Sequence, residues 1–222
     1  VGIAGTALAE WGARAVEAIV GDAAPLADPT EINLPETLEE KAIVFVESSD
    51  DLVRQLGARM DRLRTGFCAT RFLAQISPWI GHADVLTLQG GAAFDPDAAA
   101  RRIAAFLGAP PAPAPSWAPP DRPPLAGDLL ALAERTIAPM RRLVVDGADE
   151  TIVWPRRALS QAEAYGEPIP DRMPLVGRAR TLVNGPYYYL PPGRWEATVR
   201  VAFDERAANR VFVVDIAIED AI

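Results

Sequence analysis

The chain of 222 residues is long enough to bury one large hydrophobic core or two small ones. Half of its residues are hydrophobic, which is typical of a folded protein. Its net charge of −8 at pH 7 argues against a nucleic-acid partner or an anionic membrane surface.

Cysteine, histidine and apolar runs limit the chemistry further. Cys68 and His82 are the only residues of their types, so one chain cannot form a disulfide or a structural zinc site. No run of about 20 apolar residues exists, which predicts no membrane insertion. No leader pattern is visible, so we expect a cytoplasmic protein with no metal and no cofactor. The sequence begins with Val1 rather than methionine, which leaves a removed upstream segment as an alternative.

The first half alternates between strand-like and helical segments. The opening residues read as a strand end, a small-residue loop and a helix to about Val20. AIVFVE, residues 42–47, is a continuous apolar run typical of a strand covered on both faces. SSDDLVRQLGARMDRLR, from residue 48, then predicts one helix with serine caps and leucines at helical spacing.

A further strand and helix complete this half. DVLTLQ, residues 84–89, predicts a second buried strand. The next helix has Asp95 as its cap, Pro96 at its first position and Gly108 as its stop. Strand–helix alternation implies a parallel sheet, so residues 1–108 predict a small three-layer parallel α/β domain.

A proline-rich segment divides the chain. Residues 109–127, which include APPAPAPSWAPPDRPP, predict an extended linker in which Trp117 is available to pin the segment onto a neighbour. Residues 128–150 predict a connecting helix, kinked or ended near Pro139.

The pattern changes to antiparallel β in residues 151–222. Short strands are predicted at 175–183 and 187–190, and WEATVRVAF alternates strictly from Trp195 to Phe203. VFVVDIAI, from residue 211, alternates in the same way. These segments predict a sandwich-like module; because the strands are few, either a helix covers the open face or the module is incomplete.

Three stretches of the first half suggest a family. DVLTLQGGAAFDPDAAARRIAAFLG, KAIVFVESSDDLVRQL and the loop GIAGTAL together resemble the sulfotransferase superfamily that uses 3′-phosphoadenosine-5′-phosphosulfate. The resemblance covers residues 1–108 and implies that GIAGTAL lies where the phosphosulfate loop would lie. A loop of this kind binds phosphate through backbone N–H groups and the helix dipole. The cofactor-binding positions carried over are Gly5 and Thr6.

Departures from the family pattern decide the expected activity. Glu47 stands where the family has the arginine for the 3′-phosphate, and Gln55 stands where it has the serine. The first loop has Ile3 and Ala4 in place of a basic residue. A carboxylate in place of a guanidinium repels phosphate, so we expect the donor site to be lost and no catalytic residue to remain. His82 is expected to be a loop residue rather than a general base.

The stretch GPYYYLPPGRW, residues 185–195, offers a candidate ligand surface. Alternation predicts Tyr187 and Tyr189 on one face and Tyr188 on the other. Exposed tyrosines stack on sugar rings, so Tyr187, Tyr189 and Arg194 are candidate carbohydrate-binding residues. The alternative is cross-strand packing that only stabilises a hairpin.

These observations predict a non-catalytic, sulfotransferase-like scaffold whose β module binds a carbohydrate or a protein partner. One alternative is an active sulfotransferase or related group-transfer enzyme acting on a carbohydrate. A second alternative is a purely structural interaction protein, with the tyrosines in an oligomer contact.

Overall fold

The structure is a computed structural model that describes residues 6–22, 41–119, 123–164, 167, 169–174, 178, 180–205 and 211–215. Within these residues it is a mixed α/β fold with few strands. The α-helices are α1 Ala7–Val20, α2 Ser49–Gly57, α3 Arg62–Ile76, α4 Pro96–Leu107, α5 Gly127–Leu132 and α6 Ala138–Arg141. The strands are β1 Ala42–Val46, β2 Val85–Gln89, β3 Ser160–Gln161 and β4 Val183–Asn184; short 3₁₀ helices lie at Ser77–Trp79 and Arg156–Ala158.

A parallel pair of strands lies at the centre of the first half. β1 pairs with β2 in register from Ala42 opposite Val85 to Val46 opposite Gln89. Alternate side chains of β1 enter two different hydrophobic clusters, as the period of two in a strand requires. Val44 and Val46 pack with α2 and α3, whereas Ile43 and Phe45 pack with α1 and α4.

The end signals predicted for α4 are all present. The Asp95 side chain accepts the Ala98 N–H at 3.0 Å, Pro96 is the first helical residue and Gly108 ends the helix with φ of 71°. The cap predicted for α2 is also present, because the Ser48 side chain accepts the Asp51 N–H.

The prediction of one continuous helix from residue 48 to residue 64 is wrong. α2 ends at Gly57, and α3 begins at Arg62 after a new cap, in which Asp61 Oδ1 accepts the N–H groups of Leu63 and Arg64. An aspartate that serves two orphan helix N–H groups starts a helix more effectively than it continues one.

The linker is pinned by aromatic side chains. Trp117 packs edge-on against Trp11 of α1, with ring centroids 6.3 Å apart, and against Phe94, at 4.9 Å. The Trp11 indole N–H also donates to the carbonyl of Pro115 at 3.0 Å. The proline-rich segment is therefore held on the face of the fold that α1 forms.

The connecting helix does not end at Pro139. It runs from α5 to α6 and on to Asp146, with wide turns of the i→i+5 type at Ala133–Ile137 and Arg142–Asp146. Pro139 has no N–H, so the carbonyl of Arg135 is left for another donor and accepts the Val153 N–H at 2.9 Å. Ile137 and Met140 are buried in the cluster that also holds α2 and α3.

The C-terminal part contains fewer strands than predicted. β3 and β4 form a two-residue antiparallel pair, Ser160 with Asn184 and Gln161 with Val183. Of the predicted strand 175–183, residues 178, 180–183 are described and only Val183 lies in a strand. No strand is assigned at residues 187–190, 194–205 or 211–215, and a sandwich is not confirmed. Residues 216–218 of the last predicted strand lie outside the described residues.

Candidate functional site

The carboxyl ends of β1 and β2 meet the beginning of α1. In open α/β sheets this edge is where ligands bind, because loops and helix N-termini converge there. Glu47 follows directly after β1, Gln89 is the last residue of β2, and Thr6 is the cap position of α1. We call Thr6, Glu47, Gln55, Gln89 and Arg141 the strand-end site. Gly5, the other predicted cofactor-binding residue, lies outside the described residues.

Two side chains from elsewhere in the fold cap α1. Glu47 Oε1 accepts the Leu8 N–H at 2.7 Å, and Gln55 Oε1 accepts the Ala7 N–H at 2.5 Å. The side chains of Thr6 and Gln55 also hydrogen-bond to the Glu47 carboxyl group. The first N–H groups of a helix are orphan donors that attract anions. In this protein two of these donors, the N–H groups of Ala7 and Leu8, are already taken by side-chain oxygen atoms of the chain itself.

The Glu47 carboxyl group lies in a buried environment beside a second acidic side chain, Asp51. Glu47 is only 4% exposed, and its pKa is raised above 4.5 chiefly by burial. Hydrogen bonds from Leu8, Gln55 and Thr6 oppose that rise, and the nearby Asp51 adds to it. Asp51 is buried too, and it is paired with Arg54 at 2.7 Å.

The absence of a side chain at Gly90 leaves space for the Glu47 carboxyl group. The Gly90 N–H donates to the carbonyl of Val46 at 2.8 Å, which brings the loop after β2 against the end of β1. A Cβ atom at position 90 would lie 2.7 Å from Glu47 Oε2, closer than real Cβ contacts allow. Close approach of a backbone to a functional group is a common reason for glycine.

One guanidinium group reaches this edge, and sequence reasoning did not find it. Arg141 donates from Nε to the Glu47 carbonyl at 3.1 Å and from Nη2 to Gln89 Oε1 at 2.5 Å. Its pKa is lowered by burial, a change that the charge of Asp146 opposes. Arg141 lies 94 residues from Glu47 in sequence, so no local spacing signals this contact.

Arg54 and Arg71, two arginines of α2 and α3, have partners other than Glu47. Arg54 binds Asp51 and donates from Nε to the carbonyl of Pro123 at 2.9 Å. Arg71 lies over the rings of Phe67 and Tyr189, with its Cζ 6.0 and 5.7 Å from the ring centroids. Neither arginine is shown in contact with Glu47.

His82 and Cys68 lie away from the strand-end site. The His82 Nδ1 accepts the Asp84 N–H at 3.2 Å, in the exposed loop that precedes β2. It is therefore at the amino end of β2, whereas the site is at the carboxyl end. Cys68 is buried in α3. Among the described residues, no group of histidine, cysteine and acidic side chains has the arrangement of a metal site.

The three tyrosines do not alternate between two faces as predicted. Tyr187 has φ of 52°, and this left-handed conformation breaks the period of two. Tyr187 is 58% exposed, while Tyr188 lies against Gly66 of α3 and Trp154. Burial raises the pKa of Tyr188 to about 12.

Tyr189 packs on α3 as well. Its N–H donates to Thr70 Oγ1 at 3.2 Å, and its ring meets Phe67 edge-on at 5.2 Å. Tyr188 and Tyr189 thus fasten the C-terminal part to α3, and Tyr187 is the one tyrosine of the three that is exposed. Arg194 is exposed too. Carbohydrate binding by Tyr187, Tyr189 and Arg194 stays a prediction.

A cleft of 240 Å³ opens between α3, α5 and the segment at residues 155–158. The ion pair of Arg62 with Asp128, 2.8 Å, lies in its wall beside Tyr188 and apolar side chains such as Leu132. The cleft is lined by none of the strand-end residues, so it does not belong to that site.

Comparison with protein-family models, with curated proteins and with solved structures finds no match for this chain. The resemblance to the sulfotransferase superfamily therefore stays a prediction that depends on the residues quoted above. None of the described helices is long and apolar enough to cross a membrane.

Proposed function

We propose that the protein is a non-catalytic, sulfotransferase-like scaffold whose C-terminal module binds a carbohydrate or a protein partner. The observation that carries this proposal is the occupation of the α1 N-terminus by Glu47, which accepts the Leu8 N–H at 2.7 Å. The proposal includes a three-layer arrangement for residues 1–108 and a sandwich-like arrangement for residues 151–222.

The position of Glu47 argues against an anionic donor. A phosphosulfate group seated on α1 has to displace the carboxyl group from Leu8 and then approach a buried acidic pair, Glu47 and Asp51. When the Glu47 carboxyl group is ionised, two like unit charges about 4 Å apart repel by roughly 4 kcal/mol at an effective dielectric constant of 20, which lowers affinity about a thousandfold. The guanidinium of Arg141, which reaches this edge, is engaged with oxygen atoms of the chain itself.

Isothermal titration calorimetry with adenosine 3′,5′-bisphosphate tests this reasoning. We expect no binding, or a dissociation constant weaker than about 1 mM. A dissociation constant below about 10 μM overturns the proposal, provided that binding also weakens in the Arg141→Ala variant. An exposed arginine of the C-terminal part, in the Arg172→Ala variant, is the matched control.

The second candidate function is an active transferase. The position of the Arg141 guanidinium beside Glu47 favours it. If a donor bound with its phosphate in place of the Glu47 carboxyl group, the guanidinium of Arg141 would lie beside it. Transfer of labelled sulfate from 3′-phosphoadenosine-5′-phosphosulfate to an oligosaccharide mixture separates the two candidates. We expect no transfer; transfer that disappears in Arg141→Ala supports the enzyme.

The exposed apolar residues of the C-terminal part support its role in binding. Trp195, Val199, Val201 and Phe203 are exposed large hydrophobic side chains within one stretch of nine residues. Such groupings mark interaction surfaces more often than isolated apolar residues do. A glycan array tests the carbohydrate reading: we expect any signal to fall in Tyr187→Ala and to persist in Arg172→Ala. A signal that Tyr187→Ala leaves unchanged removes the aromatic platform.

A further inference from the structure

The segment from Trp195 to Val201 has a charge and apolar pattern that matches itself in the antiparallel direction. Every residue of this segment is exposed, and the sequence alternates between polar and apolar side chains. When two copies run antiparallel about Thr198, Glu196 of each copy lies opposite Arg200 of the other. Opposite charges in directly facing positions stabilise a strand pair, and like charges weaken it.

The apolar residues match in the same register. Trp195 faces Val201 of the second copy, and Ala197 faces Val199, so both faces of the pair are complementary. Residues of one parity share a face, which places these contacts on the side opposite to the charge pairs. A two-fold axis through Thr198 makes each contact occur twice, as in any isologous interface.

Glu196 and Arg200, the charged residues that face each other in this register, are available to pair with a second copy. Within the described part of the chain, Glu196 and Arg200 carry no ion pair or hydrogen bond. A register shifted by two residues instead places Arg194 opposite Asp204, but Asp204 already interacts within its own chain. Phe203 stacks on Phe212 with ring centroids 3.9 Å apart, so the end of the stretch beyond Val201 is engaged as well.

We infer that the partner of the C-terminal surface is a second copy of this chain, bound by antiparallel pairing of residues 195–201. The inference rests on the proposed function in one respect, namely that the C-terminal module is a binding surface. Residues 195–201 lie in no strand of the described chain, so the pairing would form a new two-stranded unit through backbone hydrogen bonds between the two copies. A seven-residue pair buries less than about 1,200 Å², which is typical of weak, transient interfaces, so we expect a weak dimer.

Sedimentation velocity of the full 222-residue chain over a wide concentration range tests the inference. We expect a monomer at low concentration and a dimer at high concentration. Arg200→Glu and Glu196→Arg each place like charges opposite one another twice, and each should weaken association at least about tenfold. Arg172→Glu, the same charge change at another exposed position, should leave association unchanged.

Mixing the two charge variants gives the sharpest outcome. In a heterodimer of R200E with E196R, both facing pairs are again of opposite charge, so the mixture should dimerise although each variant alone does not. Thermal unfolding of each variant checks that the exposed substitutions leave the fold intact.

A wild-type chain that stays monomeric at all concentrations overturns the inference. So does a mixture that fails to dimerise, or association that Arg194→Glu weakens and Arg200→Glu does not. Binding of adenosine 3′,5′-bisphosphate in the calorimeter would overturn the proposed function but would not change the sedimentation result. The two failures are therefore distinguishable.

Discussion

The two halves of the molecule respond differently to equally clear sequence patterns. In the first half, the apolar run of β1 is buried on both sides by helices, and Val44 and Val46 are fully covered. In the C-terminal part, the apolar residues of the strand-like patterns at 195–203 and 211–215 include many exposed side chains, and Val211 is 92% exposed. A periodic pattern therefore specifies which side chains need cover, but not whether the described chain supplies it.

A pair of matched phenylalanine substitutions gives the largest test of this difference. Phe72 of α3 is 1% exposed, whereas Phe203 is 47% exposed. Phe72→Ala should lower the free energy of unfolding by about 3–5 kcal/mol, because it leaves a cavity in the core. Phe203→Ala should lower it by about 1 kcal/mol or less in urea denaturation at low protein concentration. Equal losses for the two variants contradict the comparison.

Gly66→Ala tests how the two halves are joined. A Cβ at position 66 would lie 2.2 Å from the Tyr188 hydroxyl oxygen, so Tyr188 has to leave its place on α3. Overpacking of this kind costs about 1–3 kcal/mol, and hydrogen exchange at the Tyr189 amide should accelerate. Gly185→Ala is the control, since nothing lies within 4 Å of a Cβ at that position. Slow exchange at Tyr189 in Gly66→Ala would argue against this docking.

Glu47→Ala tests the capped helix within the first half. The substitution leaves the Leu8 N–H without its acceptor, so it should lower the free energy of unfolding by about 1–2 kcal/mol. Because the Leu8 N–H then faces an empty space, added sulfate or formate should restore part of that stability. Glu17→Ala, at an exposed position of the same helix, should show neither effect. Equal sulfate effects on both variants would contradict an anion site at α1.

The smallest effect is a pH dependence. Burial raises the Glu47 pKa in the folded protein above 4.5, so the folded state holds its proton more tightly than the unfolded state. Stability contributed by this group is complete below pH 4.5 and is lost as pH rises through the folded pKa. The unfolding free energy of the wild type should therefore fall relative to that of Glu47→Gln over that window. A difference that is constant with pH contradicts the raised pKa.

Local signals were sufficient for some of these elements and not for others. The Asp95 cap, Pro96 and Gly108 each act within one or two turns, and they predicted the bounds of α4. The break between α2 and α3 was missed, because Asp61 fits the surface of a long helix as well as the cap of a new one.

At the strand-end site, sequence reasoning named Glu47 and Gln55 but not their role as helix caps. That role depends on contacts across 39 and 48 residues. Arg141 was missed for the same reason. The tyrosine faces were mispredicted because the conformation of Tyr187 is not encoded in the alternation. Spacing along the chain carries no information on which distant segment completes a hydrogen bond.

The absent donor at Pro139 has a consequence for the whole C-terminal part. The route of the chain after the long helix is fixed where the Val153 N–H donates to the carbonyl oxygen of Arg135, to which Pro139 has no N–H to donate. Replacing Pro139 with alanine improves helix propensity but supplies a rival amide for that oxygen. A mutation that helix propensity scales count as stabilising would thus weaken the hydrogen bond between Val153 and Arg135, which positions the chain from residue 154 onward.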